Sequence, residues 1–215
     1  MIEIEAREDI VRVGASLFER GYVHGTTGNI SARVDGGFLV TPTDACLGDL
    51  DPTDLAFVSD SGETRPGPKP SKSIVLHRRI YEADASAACI IHTHSRELVS
   101  RSLQYSGDEF VPAITPYVVM KVGRVPLIPY FTPGDHGAAE LVHSAIVDAA
   151  ASGAPIRAVM LDRLGPNVWH SSPRAAMAVL EELEETAYLL NRVGDVAPLP
   201  DDAIADLRDR FGARW

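Results

Sequence analysis

Two histidines separated by one residue are the clearest candidates for chemistry in this 215-residue chain. His92 and His94 follow the apolar run 87–91, which predicts a buried strand that ends at the pair. Residues two apart on a strand point to the same face, so both imidazoles could bind one divalent metal. An incidental pair would have the same spacing, but the position at the end of a buried strand favours a functional site.

Three short loops carry the other polar side chains of interest. Residues 24–31 combine two glycines with small hydroxyls and lead into a strand, as expected of a turning loop. Residues 41–44 form a turn after the predicted strand 38–41. Ser71 follows a proline-rich surface loop and is predicted to cap a helix that runs to about Glu82. Asn29 lies between a glycine and a strand, and its side chain could serve only to stabilise that turn instead of a functional site.

Strands and helices alternate along the chain without a repeat or an interdomain linker, which predicts one α/β layered domain over residues 1–215. The predicted helices span residues 3–20, 71–82, 95–104, 134–151 and 172–192. Strands are predicted at 38–41, 55–58, 87–92, 156–161 and 168–170, with a turn at 165–167 and short strands between the prolines of 110–133. The tail 197–215 contains a short amphipathic segment with Leu207 and Phe211.

Composition excludes several functional classes. The net charge of −10 leaves no basic field for a nucleic acid. Cys46 and Cys89 provide no disulfide framework and are expected to be reduced, as in a cytoplasmic protein. The acidic N-terminus lacks the apolar segment of a signal peptide, and no apolar run has membrane-spanning length.

The order of the motifs resembles that of the class II aldolase/adducin family over roughly residues 8–195, and within it the 3-oxo-tetronate 4-phosphate decarboxylase branch more than the sugar-phosphate aldolases. The motifs that carry the resemblance are Thr27-Gly28-Asn29-Ile30-Ser31, Thr41-Pro42-Thr43, Pro70-Ser71-Lys72-Ser73 with His77 and Tyr81, His92-Thr93-His94, residues 114–124 with Pro129-Tyr130 and Pro133-Gly134-Asp135, and residues 181–187.

The resemblance implies a central, mainly antiparallel sheet flanked by helices and a lyase that works beside a carbonyl of a small carbonyl or carboxylate substrate. It implies a divalent metal, zinc by preference, on His92 and His94, with Tyr117, Ser73 and Lys72 as catalytic residues. The residues that would line the substrate site are Thr27, Gly28, Asn29, Thr43, Asp44 and Ser71. Homotetramers with sites at subunit interfaces are also implied, and the tail 197–215 could pack on a neighbour or on its own subunit.

Three positions depart from the family pattern. The family has an acidic residue at the position of Ser73 and a third metal-binding histidine at the position of Leu164. It has glycine at the position of Asp44. Because the Asp44 carboxylate would repel a phosphate, this change favours an unphosphorylated substrate. The third ligand could come from Asp162, Asp44 or His136, or a cation could replace the charge of the metal.

Lys72 and Arg163 are the candidates for that cation. Three hypotheses remain open. The first is a metal-dependent lyase, either a decarboxylase or a retro-aldolase, with altered ligation. The second is an enzyme that uses the same pocket without a metal, and the third is a non-catalytic scaffold of the adducin type. The intact histidine pair favours the first hypothesis, whereas the changes at Ser73 and Leu164 favour the other two.

Overall fold

The computed structural model describes residues 2–105, 107, 109–194 and 196–215. The helices in this part of the chain are α1 Glu3–Glu19, α2 Ile74–Ala83, α3 Arg96–Ser102, α4 His136–Ala151, α5 Pro173–Val193 and α6 Asp201–Phe211. The strands are β1 Asn29–Val34, β2 Gly37–Val40, β3 Ala56–Ser59, β4 Cys89–His92, β5 Leu127–Ile128, β6 Ala158–Leu161 and β7 Gly165–His170.

The strands described here form one sheet in the order β3-β2-β1-β4-β7-β6-β5. All neighbouring strands are antiparallel except β5 and β6, which are parallel. The predicted mainly antiparallel central sheet is therefore confirmed. In β4, β6 and β7 alternate side chains enter two different apolar clusters, because successive residues of a strand point to opposite faces. Both faces of the sheet are consequently covered.

Different helices cover the two faces. Helices α1 and α5 pack on the face that presents Ile91 and Val168, and α1 does so through buried apolar residues that include Ile10. Helices α2 and α4 pack on the face that presents Ile90 and Trp169. The second face matters for function, because α2 and α4 leave the ends of β1, β4 and β7 uncovered. None of the helices in the described residues combines the length and apolarity needed to span a bilayer.

Several predicted boundaries were wrong. Helix α2 begins at Ile74 with Ser73 at the N-cap, and Ser71 is not the cap. The Ser71 hydroxyl instead accepts a hydrogen bond of 3.3 Å from the Ser73 backbone N–H. Two hydroxyl residues flank Lys72 in the sequence, so composition alone does not decide which one ends the loop. The predicted turn 165–167 belongs to strand β7, which begins at Gly165 because β6 pairs with it from there, whereas β4 pairs with it from Asn167.

The segment 110–133 was predicted to contain several short strands, but its described part contains only the two-residue strand β5 and a π-helical turn at Val118–Val122. Its prolines lack the N–H groups that a strand ladder requires. The C-terminal tail forms α6, and its Ile204 and Trp215 are buried in the same cluster as α1 and α5. These two side chains thus pack on their own subunit, whereas Phe211 is exposed.

Candidate active site

A cavity of about 490 Å³ opens where the ends of β1, β4 and β7 meet the N-terminal ends of α2 and α4. Its wall contains ten of the eleven site residues that the sequence analysis proposed. They are Thr27, Gly28, Asn29, Thr43, Asp44, Ser71, Lys72, Ser73, His92 and His94. The fold therefore brings these separate loops together at one place.

The floor of the cavity is a row of three side chains from adjacent strands. Asn29 of β1 pairs with His92 of β4, and His92 pairs with Asn167 of β7. Residues directly opposite each other in antiparallel strands point to the same face of the sheet. All three are buried and all three line the cavity. We call Asn29, His92 and Asn167 the outer row.

His92 is held in one orientation by the turn that precedes β7. Its Nδ1 lies 2.9 Å from the backbone oxygen of Pro166, so the neutral ring donates from Nδ1 and keeps a lone pair on Nε2. Burial, and to a smaller extent the neighbouring His94, lowers the pKa of His92 to about 4. The imidazole is consequently neutral at physiological pH and acts as a hydrogen-bond acceptor or a ligand.

His94 lies beside His92 and also beside a third imidazole that the sequence analysis did not select. The ring centres of His92 and His94 are 5.1 Å apart, and those of His94 and His24 are 6.4 Å apart. Partial burial, followed by the proximity of His24, lowers the pKa of His94. His24 belongs to the loop before β1, where its position depends on tertiary packing and carries no local sequence signal.

The histidine pair has a spacing that suits a shared metal, but the third ligand is missing. Two imidazoles on one tetrahedral zinc, with Zn–N bonds of about 2.0–2.1 Å, place their ring centres roughly 5 Å apart. Leu164 lines the cavity at the position of the third ligand and offers no donor atom. Among the described residues no group of three histidine, cysteine or acidic side chains is placed to hold a metal ion. The donor set therefore does not fit a catalytic zinc centre with three protein ligands.

The proposed replacements for the missing ligand or charge are distributed unevenly. Asp44 and Asp162 line the cavity, and the Asp162 Oδ1 is buried without a hydrogen-bond partner among the described residues. His136 is not part of the wall. Lys72 is part of it, but Arg163 lines a neighbouring cavity of about 360 Å³. Lys72 is thus better placed than Arg163 to act on a bound molecule.

Ser73, at the position of the family's acidic residue, is tied to the outer row. Its hydroxyl accepts a hydrogen bond of 3.0 Å from the Asn29 Nδ2. The Asn29 Oδ1 is buried and has no partner in the described part of the chain. Gly28 permits this arrangement, because a Cβ atom there would lie 2.6 Å from Val23 Cγ1 and 2.9 Å from the His92 backbone oxygen. The Gly28-Asn29 pair thus brings β1 close to the end of β4.

Asn167 is the residue of the site that sequence reasoning missed. Its side chain is 0 % exposed, and neither Oδ1 nor Nδ2 has a hydrogen-bond partner among the described residues. An unpaired buried polar group costs roughly 1–3 kcal/mol of stability, so such a residue requires an explanation. The Gly165-Pro166 dipeptide suggested a turn at this position, and only the pairing of β7 with His92 shows that Asn167 faces the cavity.

Behind the outer row lies a buried hydrogen-bond network. Ser31 Oγ lies 2.8 Å from His77 Nδ1 and 2.9 Å from the Tyr81 hydroxyl. Burial, with a smaller contribution from His92, lowers the pKa of His77 to about 3. These side chains do not line the cavity, so His77 and Tyr81 pack behind it.

Tyr117 is the one proposed catalytic residue that the fold does not bring to the cavity of the same chain. It precedes the π-helical turn, its side chain is 57 % exposed, and it is absent from the wall. Tyr117 therefore does not join the histidine pair within one subunit, because Pro116 and Tyr117 are exposed on the outside of the fold.

Comparison with known proteins identifies relatives over the whole chain. A family model described as the class II aldolase and adducin N-terminal domain matches residues 8–190. The chain is 49 % identical to the 3-oxo-tetronate 4-phosphate decarboxylase of Cupriavidus necator, with 99 % of both chains covered. It is 39 % identical to the protein of the same name from Escherichia coli K12, over 96 % of this chain and 97 % of the relative.

Solved structures give the same result for the fold. The protein YgbL of Klebsiella pneumoniae, described as an aldolase/epimerase/decarboxylase, superposes with a TM-score of 0.86 at 41 % identity and covers 97 % of this chain and 100 % of its own. The L-fuculose-1-phosphate aldolase of Thermus thermophilus superposes with a TM-score of 0.74 at 25 % identity, over 89 % of this chain and 98 % of its own. The resemblance inferred from the motif order is thereby confirmed.

Proposed function

Because the chain belongs to the class II aldolase and adducin family, we propose that it is a carbon–carbon lyase that decarboxylates a four-carbon 3-oxo sugar acid with a terminal phosphate. The observation that carries this proposal is the single cavity that collects the family's substrate loops and the histidine pair. Relatives that match nearly all of the chain have names that specify this reaction.

The reaction makes a definite demand on the site. When the bond between C1 and C2 breaks, carbon dioxide leaves and the electron pair forms the C2–C3 double bond of an enolate. The C3 ketone oxygen then carries the negative charge, and C2 later takes up a proton to give a three-carbon hydroxyketone phosphate. Hydrogen-bond donors or positive charge at the ketone oxygen therefore lower the barrier.

The exposed rim of the cavity suits the anionic groups of such a substrate. Lys69 and Lys72 are exposed and line the rim, together with the carboxylates of Asp44 and Asp135. The N-terminal end of α2 also faces the cavity, and a helix N-terminus attracts anions. We assign Thr27, Gly28, Asn29, Thr43, Asp44 and Ser71 to substrate binding.

Asp44 is the rim residue that argues against a phosphate. Its φ is +58°, a left-handed conformation that suits glycine, so the loop keeps a glycine-like backbone and adds a carboxylate. Since that carboxylate is exposed, solvent screens its charge. We therefore propose that Asp44 weakens phosphate binding without preventing it.

The remaining catalytic assignments concern charge and proton transfer. Lys72 would neutralise part of the charge of the substrate, and Ser73, oriented by Asn29, would donate a hydrogen bond to it. Tyr117 would deliver the proton to C2 only if another subunit supplies it. We accordingly propose a homo-oligomer, with the resemblance favouring a tetramer, in which Tyr117 of one subunit reaches the cavity of the next.

The reaction is tested by the release of labelled carbon dioxide. Freshly prepared 3-oxo-tetronate 4-phosphate with ¹³C at C1 is incubated with the protein, and the rate is compared with spontaneous loss in the presence of heat-denatured protein. We expect a rate at least tenfold above background and a slower rate with the unphosphorylated acid. A rate equal to background would contradict the enzyme assignment and favour the scaffold hypothesis. Cleavage of a ketose 1-phosphate instead would favour the aldolase alternative.

The assembly is tested by complementation. His94→Ala and Tyr117→Phe should each have low activity, whereas the two variants refolded together should recover part of it, because some cavities then combine an intact histidine pair with an intact tyrosine. Light scattering reports the size of the oligomer. A fully active Tyr117→Phe variant, or a monomer with full activity, would contradict the proposed role of Tyr117.

A further inference from the structure

The outer row contains a side chain that has no role in the family pattern. We propose that Asn167 binds the reacting centre of the substrate directly, donating a hydrogen bond from Nδ2 to the C3 ketone oxygen and accepting one at Oδ1 from the C2 hydroxyl. This inference rests on the proposed function, because it names the group that contacts the oxygen where negative charge develops.

The first support is the unpaired state of the amide. Both polar atoms of Asn167 are buried, and neither has a partner among the described residues. The neighbouring amide of Asn29 differs, because its Nδ2 is already committed to Ser73. A fully buried amide with both ends free lowers stability unless a bound molecule satisfies it. Asn167 also belongs to the residues that line the cavity, so a molecule bound there would lie next to it.

The second support is the fixed relation between Asn167 and His92. The two residues are opposite partners in the β4–β7 pairing, so their side chains lie next to each other on the floor. Pro166, the residue before Asn167, holds the His92 ring through its backbone oxygen. The floor thus presents the Asn167 Nδ2 as a donor beside the acceptors Asn29 Oδ1, Asn167 Oδ1 and His92 Nε2.

This set of atoms matches an α-hydroxy ketone better than a carboxylate or a phosphate. A hydroxyl donates to Oδ1 while the adjacent ketone oxygen accepts from Nδ2, so both ends of the amide are satisfied at once. An ionised carboxylate or phosphate only accepts hydrogen bonds and would leave Oδ1 and the His92 Nε2 unpaired. The anionic ends of the substrate are therefore directed to the lysines of the rim.

The same arrangement explains how the site could work without a third metal ligand. Leu164 leaves the histidine pair without a third ligand. The described residues therefore offer no three-ligand centre for a metal that would supply positive charge at the ketone oxygen. A preorganised amide N–H in a water-poor site stabilises an enolate oxygen by the same electrostatic principle. The C1 carboxylate leaves as carbon dioxide. The enolate oxygen keeps its hydrogen bond from the Asn167 Nδ2 until C2 is protonated.

Two substitutions separate the donor of the amide from its acceptor. Asn167→Val removes both, and Asn167→Asp keeps an acceptor and the size but removes the donor. Thr186→Val is the control, because it also replaces a buried polar residue by valine but lies on α5 outside the cavity wall. For each protein, kcat and KM are measured with the 3-oxo substrate and with its 2-deoxy analogue, and Tm is measured without ligand.

We expect Asn167→Val to lower kcat by about 10²–10³, the usual effect of removing one donor to a developing oxyanion. It should also lose the preference for the 2-hydroxyl group and raise Tm by roughly 2–4 °C, because an unpaired buried amide is gone. Asn167→Asp should lose as much kcat but keep the 2-hydroxyl preference. The control should keep wild-type kcat and KM.

Four results would overturn the inference. Unchanged kcat and KM in Asn167→Val would show that the amide does not contact the substrate. A lower Tm in Asn167→Val would assign the amide a structural role, satisfied by trapped water. One tightly bound zinc, manganese or cobalt per subunit, with activity that is lost on chelation and restored by the metal, would place a metal at the ketone oxygen instead. An unchanged 2-hydroxyl preference in Asn167→Val would remove the assignment of Oδ1.

Failure of the decarboxylation itself can be distinguished from failure of this inference. If the wild-type protein releases no carbon dioxide, calorimetry with the unreactive 2,3-dihydroxy acid 4-phosphate still reports binding. Weaker binding by Asn167→Val than by the wild type would then support the Asn167 contact while the reaction is rejected. Equal binding, or no binding to the wild type, would reject the contact as well.

Discussion

Two neighbouring rows of side chains on the same face of the sheet have opposite characters. The outer row, defined above, leaves the Asn29 Oδ1 and both polar atoms of Asn167 without partners among the described residues. The next row inward consists of Ser31, Ile90 and Trp169, which pair across the same three strands. We call it the inner row.

In the inner row every polar side chain has a partner. Ser31 contacts His77 and Tyr81, and the Trp169 Nε1 donates to the Asp84 carboxylate at 2.9 Å. The two rows lie on the same three strands and are one pleat repeat apart, roughly 7 Å. The backbone around them is therefore equivalent, and the rows differ in their side chains. The polar groups of the inner row are thus satisfied within the fold, whereas the outer row keeps unpaired polar groups, which we propose are satisfied by the substrate.

The largest effect is expected from Trp169 in the inner row. Trp169→Ala should lower the free energy of unfolding by about 3–5 kcal/mol, because it empties a buried site and removes the donor to the Asp84 Oδ2. Urea unfolding at pH 7 measures the change. Trp169→Phe keeps most of the volume and should lower the free energy of unfolding less. If Trp169→Ala were nearly as stable as the wild type, the inner row would not have the stabilising role assigned to it.

His92 in the outer row should show the reverse pattern. His92→Ala should lower kcat/KM by about 10² or more, because the proposed substrate would lie against the imidazole, and should change the free energy of unfolding by only about 1 kcal/mol. Steady-state kinetics and urea unfolding on the same preparation provide the test. The matched control is His136→Ala, since His136 is exposed and outside the cavity wall. A large loss of stability without a loss of turnover would place His92 with the inner row.

The pH dependence of stability examines the layer behind the inner row. Burial lowers the pKa of His77 to about 3, whereas the unfolded chain has a value near 6.5. Below pH 6.5 the unfolded state therefore binds a proton that the folded state excludes. As the pH decreases from 6.5 to about 3, the free energy of unfolding decreases by about 1.4 kcal/mol per pH unit for this one group.

Carboxylate protonation overlaps with this window, so a variant must isolate the histidine contribution. Unfolding curves between pH 7 and pH 4.5 are compared for the wild type and for His77→Gln, which cannot take up the proton. We expect the stability of the wild type to fall more steeply. Parallel curves would show that His77 is not kept neutral by burial.

The smallest effect is expected at the rim. Asp44→Gly should increase kcat/KM for the phosphorylated substrate by about two- to fivefold, because it removes an exposed negative charge whose interaction solvent weakens. The unphosphorylated acid serves as the internal control and should change less. An equal change for both substrates would show that the Asp44 side chain does not interact with the phosphate.

Much of the fold could be predicted from local patterns. The stripe of Ile10, Val13 and Leu17 predicted α1, and the apolar run before His92 predicted β4. These elements are decided by periodicity within a short segment. The boundaries around Ser71 and Gly165 were wrong, because hydroxyl and Gly-Pro signals there are compatible with more than one local structure.

The site divides along the same line. The spacing of His92 and His94 by itself predicted that they share a face. The family resemblance implied that the loops around Asn29, Thr43 and Ser71 line one site and that Leu164 stands where a third ligand is expected. Spacing along a strand is a property of a short segment, whereas the shared site rests on the order of the motifs along the chain.

Only the tertiary structure decided that Asn167 lies beside His92, that His24 approaches His94, and that Tyr117 lies outside the cavity of its own chain. The register of β4 against β7 is a contact between distant segments, and a shift of one residue would turn Asn167 to the other face of the sheet. The polar neighbours of the histidine pair are therefore a consequence of strand pairing, which no local pattern in this chain specifies.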